Sequence, residues 1–307
     1  ATALPTANWG WNLRPMTQRQ SDQLQSAIDK TNKRPRQANP HLHRIITGHR
    51  LDVTYVTLES LFRDAHKEAT RLCRVSGGAR RAANPWSDSI TKLFTRIGVH
   101  KIAEDTWWCP NTRKVHSLCL DDQQNFTPTT GEALHNLRES WRAFHYYAWA
   151  KGTRREAQTC SNVPYDPKRL KKAQQLLEEE PDLLPILTGA FVSPAAAHVM
   201  NRETDRRCRW CREDWASFDH LATCPKLPAT ILIRRPRPPT DPLAYRLGWP
   251  RDQKDAKEEG GTGQWARHLM ALRKLILIQK PKTQEASYAH PSPPTKEAGP
   301  GGGVTSQ

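Results

Sequence analysis

Four side chains able to ligate soft or borderline metal ions fall within seventeen residues: Cys208, Cys211, His220 and Cys224, in the pattern C-x2-C-x8-H-x3-C. Zinc takes three thiolates and one imidazole in a tetrahedral shell, and a close Cys-x2-Cys pair commonly supplies half of it. Helix geometry supplies the other half. Ser217 is placed to cap a short helical turn that Pro225 stops, so His220 and Cys224 stand at i and i+4 and leave one face. Protein fills all four positions, which predicts a structural Zn2+ knuckle and not a catalytic site with an open position. Three thiolates around Zn2+ leave one net negative charge, and Arg206, Arg207, Arg209 and Arg212 surround it. Buried thiols or a disulfide set are the plainer readings. Seven Cys is an odd number and nothing at the start resembles a secretory signal, so a disulfide framework fits poorly. The expected location is intracellular and, with a nucleic-acid partner, nuclear.

The remaining composition narrows the partner. The chain has 307 residues, a soft prior for about two domains. Its hydrophobic fraction is 36% and its mean hydropathy is -0.78, yet eleven Trp argue for packed units. A formal net charge of +16 points to an anionic polymer, and nucleic acid, RNA or DNA, is the commonest. No apolar run reaches the length of a spanning helix, so a membrane partner is not expected. The first residues, Ala1-Thr-Ala-Leu-Pro, lack Met, which suggests a fragment or a processed product.

Periodicity predicts a mainly α chain with one small β-hairpin. Residues 1–16, with Trp9 and Trp11, read as an extended lead-in. A modest helix follows over Thr17–Lys30, with Leu24 and Ile28 in step, and Pro35 and Pro40 break it. Thr57–Arg74 carries Leu58, Leu61, Phe62, Ala65, Ala69 and Leu72 on one stripe, with Thr57 as the cap and Gly77-Gly78 as the end. Pro85 opens another helix, with Gly98 at its end. Thr106–Cys109 and Val115–Leu120 flank a turn and form the hairpin. Gly131–Lys151 is a long helix whose aromatic residues fit burial better than base stacking. Pro167–Glu180 and Trp265–Lys280 are helices, Asp182–Phe191 is apolar with Gly189 as terminator, and Leu243–Pro250 is a short apolar patch. From Pro281 onward, composition predicts disorder. The segments divide into a helical region with the hairpin (1–160), a helical segment with the knuckle (161–233), a basic linker with a last helix (234–280) and a tail (281–307).

Around the knuckle the order of motifs resembles the region after the polymerase domain in non-LTR (LINE-type) retrotransposon reverse transcriptase proteins. The residues concerned are Leu187-Thr-Gly189, Cys208-x2-Cys211 and Asp219-His-Leu, closing on Cys224-Pro225. Asp241-Pro-Leu, Arg246-Leu-Gly-Trp-Pro250 and a following helix also resemble the tails of such proteins, so the likeness covers roughly residues 180–280. One spacing departs: three residues separate His220 from Cys224 where four is commoner in that family. The resemblance implies an accessory segment that grips template RNA or target DNA while a polymerase elsewhere in the same polyprotein works. Arg206, Arg207, Arg209, Trp210, Arg212, Lys226, Arg234, Arg235 and Arg237 form the densest basic region and the expected nucleic-acid contacts. Trp210 and Trp215 lie within it; base stacking competes with packing over the metal shell, and packing is expected for at least one.

Catalytic motifs are sparse. A polymerase needs paired carboxylates on a tight hairpin to hold metal ions, and Asp121-Asp122 lacks a convincing second strand. This chain alone is therefore not expected to be an enzyme, although the resemblance makes its parent an RNA-directed DNA polymerase. A restriction-like endonuclease is the main alternative, with Asp241 and Asp252 on a metal ion and Lys254 steadying the attacking water. Their polar context fits a solvated turn better than a catalytic strand. The third reading is a protein-interaction module whose charge serves solubility.

Overall fold

Side-chain caps fix where most helices begin. The computed structural model describes residues 16–31, 34–35, 38–76, 86–118, 129–152, 155–200, 205–212, 215–232, 235–251 and 263–278, without the side chains of 72–76, 155–156 and 278. Trp9, Trp11, Gly77-Gly78, Asp121-Asp122 and the tail from Pro281 lie outside these residues.

Helix α1 (Gln18–Thr31) turns its polar side inward: Ser21, Gln25 and Asp29 are buried, while Leu24 and Ile28 are half-buried. Gln25 explains this. Its amide donates to the Leu51 carbonyl and accepts from the Val53 N–H, tying α1 to the start of the next long helix. Pro40, expected only to break α1, opens α2 (Pro40–Thr47). Asn39 accepts from the His41 and Leu42 N–H groups, and a proline in the first turn loses no hydrogen bond. Helix α3 (Val53–Ser76) starts earlier than expected, because Asp52 and not Thr57 is its cap: Asp52 accepts from the Tyr55 N–H at 2.7 Å. Thr57 sits one turn inside and bonds the Val53 carbonyl. The stripe Leu58, Leu61, Phe62, Ala65 and Ala69 is buried as its spacing requires.

Helix α4 (Ser87–Thr95) runs into a turn that closes on Gly98, whose N–H donates to the Thr95 carbonyl and whose φ of +70° suits a residue without a Cβ. A three-stranded antiparallel sheet follows: β1 (His100–Ala103), β2 (Thr106–Cys109) and β3 (Lys114–Ser117), in that order. The hairpin was expected and β1 was not. All four β1 residues are exposed, so no burial pattern marks them; backbone pairing with β2 recruits them. Helix α5 (Thr130–Ala150) begins in a reciprocal cap between Thr129 and Glu132 and buries Trp141, Tyr146 and Trp149.

Short helices make the second half: α6 (Arg155–Cys160), α7 (Pro167–Glu179), α8 (Leu184–Leu187), α9 (Pro194–Val199), α10 (Phe218–Thr223), α11 (Ala229–Leu232) and α12 (Pro242–Leu247), then the longer α13 (Gln264–Ile278). All of these except α9 share one continuous apolar core with α2–α5. Polar contacts also cross between the halves: the Asn39 N–H donates to the Thr188 carbonyl, and the Gln174 amide donates to the Ile45 carbonyl. The Leu187-Thr-Gly189 turn meets the tail motif, since the Trp249 indole donates to the Leu187 carbonyl at 3.0 Å.

Gly248 joins these parts. It ends α12 at φ +66°, and a Cβ there would lie 2.6 Å from Ala266 Cβ and 2.8 Å from Ala266 Cα on α13. Left-handed strain and overpacking therefore act together, and Gly248→Ala is expected to lower stability by about 2–4 kcal/mol. A urea midpoint equal to that of the parent would contradict this packing.

Candidate metal centre and its basic rim

Ser217 accepts from the His220 N–H at 3.1 Å and starts α10 where its sequence position predicted. Cys224 follows the helix with non-helical backbone angles and still brings its sulfur to the cluster. The Cys208–Cys211 arm is a tight turn closed by the Arg212 N–H on the Cys208 carbonyl at 2.8 Å, with Arg212 in the left-handed region at φ +62°. An isolated bridge between Arg207 and Trp215 returns the chain to Ser217.

These elements bring all four ligand atoms within 4.8 Å of one another. Cys208 Sγ lies 3.8 Å from Cys224 Sγ, and Cys211 Sγ lies 3.3 Å from His220 Nε2. A tetrahedral ion with metal–sulfur bonds of about 2.3 Å and metal–nitrogen bonds of about 2.0 Å needs sulfurs about 3.8 Å apart and sulfur–nitrogen pairs about 3.5 Å apart. The residues fit a metal ion. The three Cys are buried and His220 is half-buried. Burial, reinforced by the neighbouring sulfurs, pushes the Cys208 thiol up to about 11 against the pull of backbone N–H groups. Without a cation the thiol stays protonated; a bound metal would displace its proton, so metal affinity should rise with pH. The described cysteines, Cys109, Cys160, Cys208, Cys211 and Cys224, are all free of disulfides. Among the described residues, no other cluster of three or more metal-ligating side chains occurs.

A ladder of rings anchors the centre. Phe218 on α10 packs against Phe191 and Tyr245, Tyr245 stacks on Trp265 at 5.6 Å, and Trp265 meets His268. Asp219 holds the same link from the polar side: it accepts from the Tyr245 hydroxyl at 3.0 Å and pairs with Arg246 at 2.9 Å. Neither role was evident from sequence, because the partners lie 26 and 27 residues away.

The structure sorts the expected nucleic-acid contacts. Arg206, Arg207, Arg209 and Arg212 are exposed on the knuckle, and Lys226 and Arg237 are exposed beyond it. Arg234 lies outside the described residues. Arg235 is half-buried, and its guanidinium donates to the Thr223 and Cys224 carbonyls, clasping the end of α10. Of the two tryptophans, Trp210 packs against the core, as expected for at least one. Trp215 is 49% exposed, with the Arg206 guanidinium 4.3 Å from its ring centroid. Trp215 is thus the better stacking candidate, and Trp210 is a packing residue.

The alternative nuclease set is only partly visible, since Asp252 and Lys254 lie outside the described residues. Asp241 caps α12 through the Ala244 N–H at 2.9 Å and pairs with the buried Arg169 guanidinium. Burial opposes its ionised form, but Arg169 and the cap prevail and hold its carboxyl below the usual range. Its visible work is structural, joining α7 to α12. No protein-family model, curated protein or solved structure matches the chain.

Proposed function

We propose that this chain is a zinc-stabilised, basic nucleic-acid-binding accessory segment of a retrotransposon reverse transcriptase protein, gripping template RNA or target DNA. One observation carries the reading: an exposed aromatic ring, Trp215, lies under a guanidinium on a knuckle whose other exposed side chains include Arg207, Arg209 and Arg212. Four guanidiniums supply sequence-independent attraction to phosphates, and a half-exposed indole supplies a face on which any base can stack. Zn2+ suits the donor set, because a Cys3His shell with no open position matches structural zinc. The ion would hold Cys208, Cys211, His220 and Cys224 together, so the four arginines and Trp215 would sit on a fixed loop and lose little freedom on binding.

Binding of a fluorescent single-stranded oligonucleotide at two salt concentrations tests this. Four phosphate contacts on a single strand give a salt slope near -2.8, so affinity is expected to fall about 50-fold between 50 and 200 mM salt. Trp215→Ala is expected to weaken binding by roughly 5- to 150-fold, the equivalent of about 1–3 kcal/mol of stacking. Equal affinity at both salts, or an unaffected Trp215→Ala, counts against the proposal. Indifference to salt is also what a protein-interaction module with solubilising charge would give.

A further inference from the structure

Beside the knuckle, a groove of about 720 Å³ opens between α11 and α13. The volume falls within the roughly 300–1,000 Å³ range of small-ligand sites. Its walls are of two kinds. Ile231, Pro236 and Ala271 are apolar; Thr230, Gln264 and His268 can donate or accept hydrogen bonds, and Arg235 and Arg267 add positive charge. Among the described residues, no carboxylate lines it. Arg267 is bonded to Glu180, whereas Arg235 donates to two carbonyl oxygens, which carry no full charge.

His268 marks the groove as a site. It lines the space, is only 6% exposed, and its Nε2 has no hydrogen-bond partner among the described residues. A buried polar atom left unpaired destabilises the fold, and a ligand that bonds it removes that cost. Burial first, and Arg235 nearby second, hold this imidazole down to about 4, so at neutral pH it is uncharged and can read a neutral hydrogen-bonding edge. Arg235 couples the groove to the metal centre, since this residue lines the groove and its guanidinium clasps the carbonyl of the ligand residue Cys224.

We propose that this groove binds one nucleoside phosphate unit, with the phosphate toward Arg235 and Arg267 and the base against Ile231 and Ala271, within reach of Gln264 and His268. The ligand is chosen in the light of the nucleic-acid reading above; the groove itself is independent of it. The unit could come from a strand or from a free nucleotide, and the two sources share this chemistry.

Calorimetric titration of the full chain with adenosine monophosphate, adenosine and inorganic phosphate tests the inference. Two variants accompany it. Thr230→Trp fills the groove from an exposed position on α11, and His268→Phe keeps a ring while removing the nitrogens. Adenosine monophosphate is expected to bind more tightly than either component alone. Each variant is expected to weaken it about 10-fold or more, with unchanged helical circular dichroism. A dinucleotide whose only phosphate is internal competes if the source is a strand; failure to compete beside a competing terminal phosphate marks a free nucleotide. No binding of adenosine monophosphate, phosphate binding as tightly as the nucleotide, or equal affinity in the folded variants overturns the inference. Salt-sensitive oligonucleotide binding that persists without any nucleotide binding removes the groove alone. Nucleotide binding without salt-sensitive oligonucleotide binding removes the accessory-segment reading and leaves the groove.

Discussion

Cys211→Ser is expected to abolish stoichiometric zinc binding and to unfold residues 205–228 while leaving α3 and α5 folded. Structural zinc sites in small peptides contribute apparent free energies of about 10–16 kcal/mol at neutral pH. Nothing else near the knuckle matches that. Helix α10 has six residues, too few to persist alone, and the bridge from Arg207 to Trp215 is a single pair. The ring ladder from Phe218 to Trp265 fixes only one side of the loop. Trypsin provides a direct reading, because Arg206, Arg207, Arg209 and Arg212 are exposed and cleavable once the turn opens. The zinc-loaded parent is expected to resist cleavage there, and the variant or a chelated sample to be cut at once. Helical signal should fall only slightly, since α3 and α5 are built on Trp141, Tyr55 and Leu58, which are fully buried elsewhere. Full zinc content in the variant, or unchanged protection from trypsin, would sink the metal assignment.

Legibility from sequence followed the range of each interaction. The metal ligands were readable because spacing within seventeen residues and one capping serine determine them, and the ligand atoms do converge. Long helices were readable because a five- or six-residue apolar stripe outweighs local ambiguity, as in α3 and α5. Their exact starts were less so: Asp52 and Thr57 are both cap residues by type, and only the contact with the Tyr55 N–H selects Asp52. Helix α1 misled, because Gln25 is buried through partners 26 and 28 residues away and so turns a polar row inward. Strand β1 carried no signal, since an exposed edge strand is selected by backbone pairing. On the rim, charge was legible and engagement was not. Arg235 and Arg237 look alike in sequence, yet Arg235 bonds two carbonyls of the α10 terminus while Arg237 is exposed. Trp210 and Trp215 likewise differ only through what packs over them.

Acidification is expected to unfold the chain well above the pH at which carboxylates titrate. Burial holds His41, His43, His49, His116 and His268 down to about 4. For His41 the neighbouring His145 adds to burial, and for His49 Arg138 does. His145 is also lowered, burial outweighing the adjacent Asp52. The sign follows from proton counting. These rings are neutral in the fold, whereas the unfolded chain protonates them near pH 6.5, so the unfolded state binds more protons below that value. Stability is therefore intact above pH 6.5 and is lost progressively as pH falls to 4. Discounted for water at the partly exposed rings, each contributes on the order of 1–2 kcal/mol. Five together reach a large share of the roughly 5–15 kcal/mol that holds a domain. Asp52 behaves differently: burial opposes its ionised form, but hydrogen bonds from His145 and the Tyr55 N–H and the charge of Arg44 outweigh it, so its share is lost only at pH below the ordinary carboxylate range. Urea midpoints between pH 7 and 4.5 give the slope, about 1.4 kcal/mol per pH unit for each proton taken up. Acid also releases metal from thiolates, so the slope must be measured on Cys211→Ser as well, where it is expected to persist. His116 is the ring to replace, because it lies 5.2 Å from Phe94 and bonds the Ser140 hydroxyl at 3.0 Å. His116→Gln keeps a hydrogen-bonding side chain without a titratable ring and is expected to flatten the slope by one proton. A stability that stays flat from pH 7 to 4.5 in the metal-free variant would show that these rings take up no protons on unfolding.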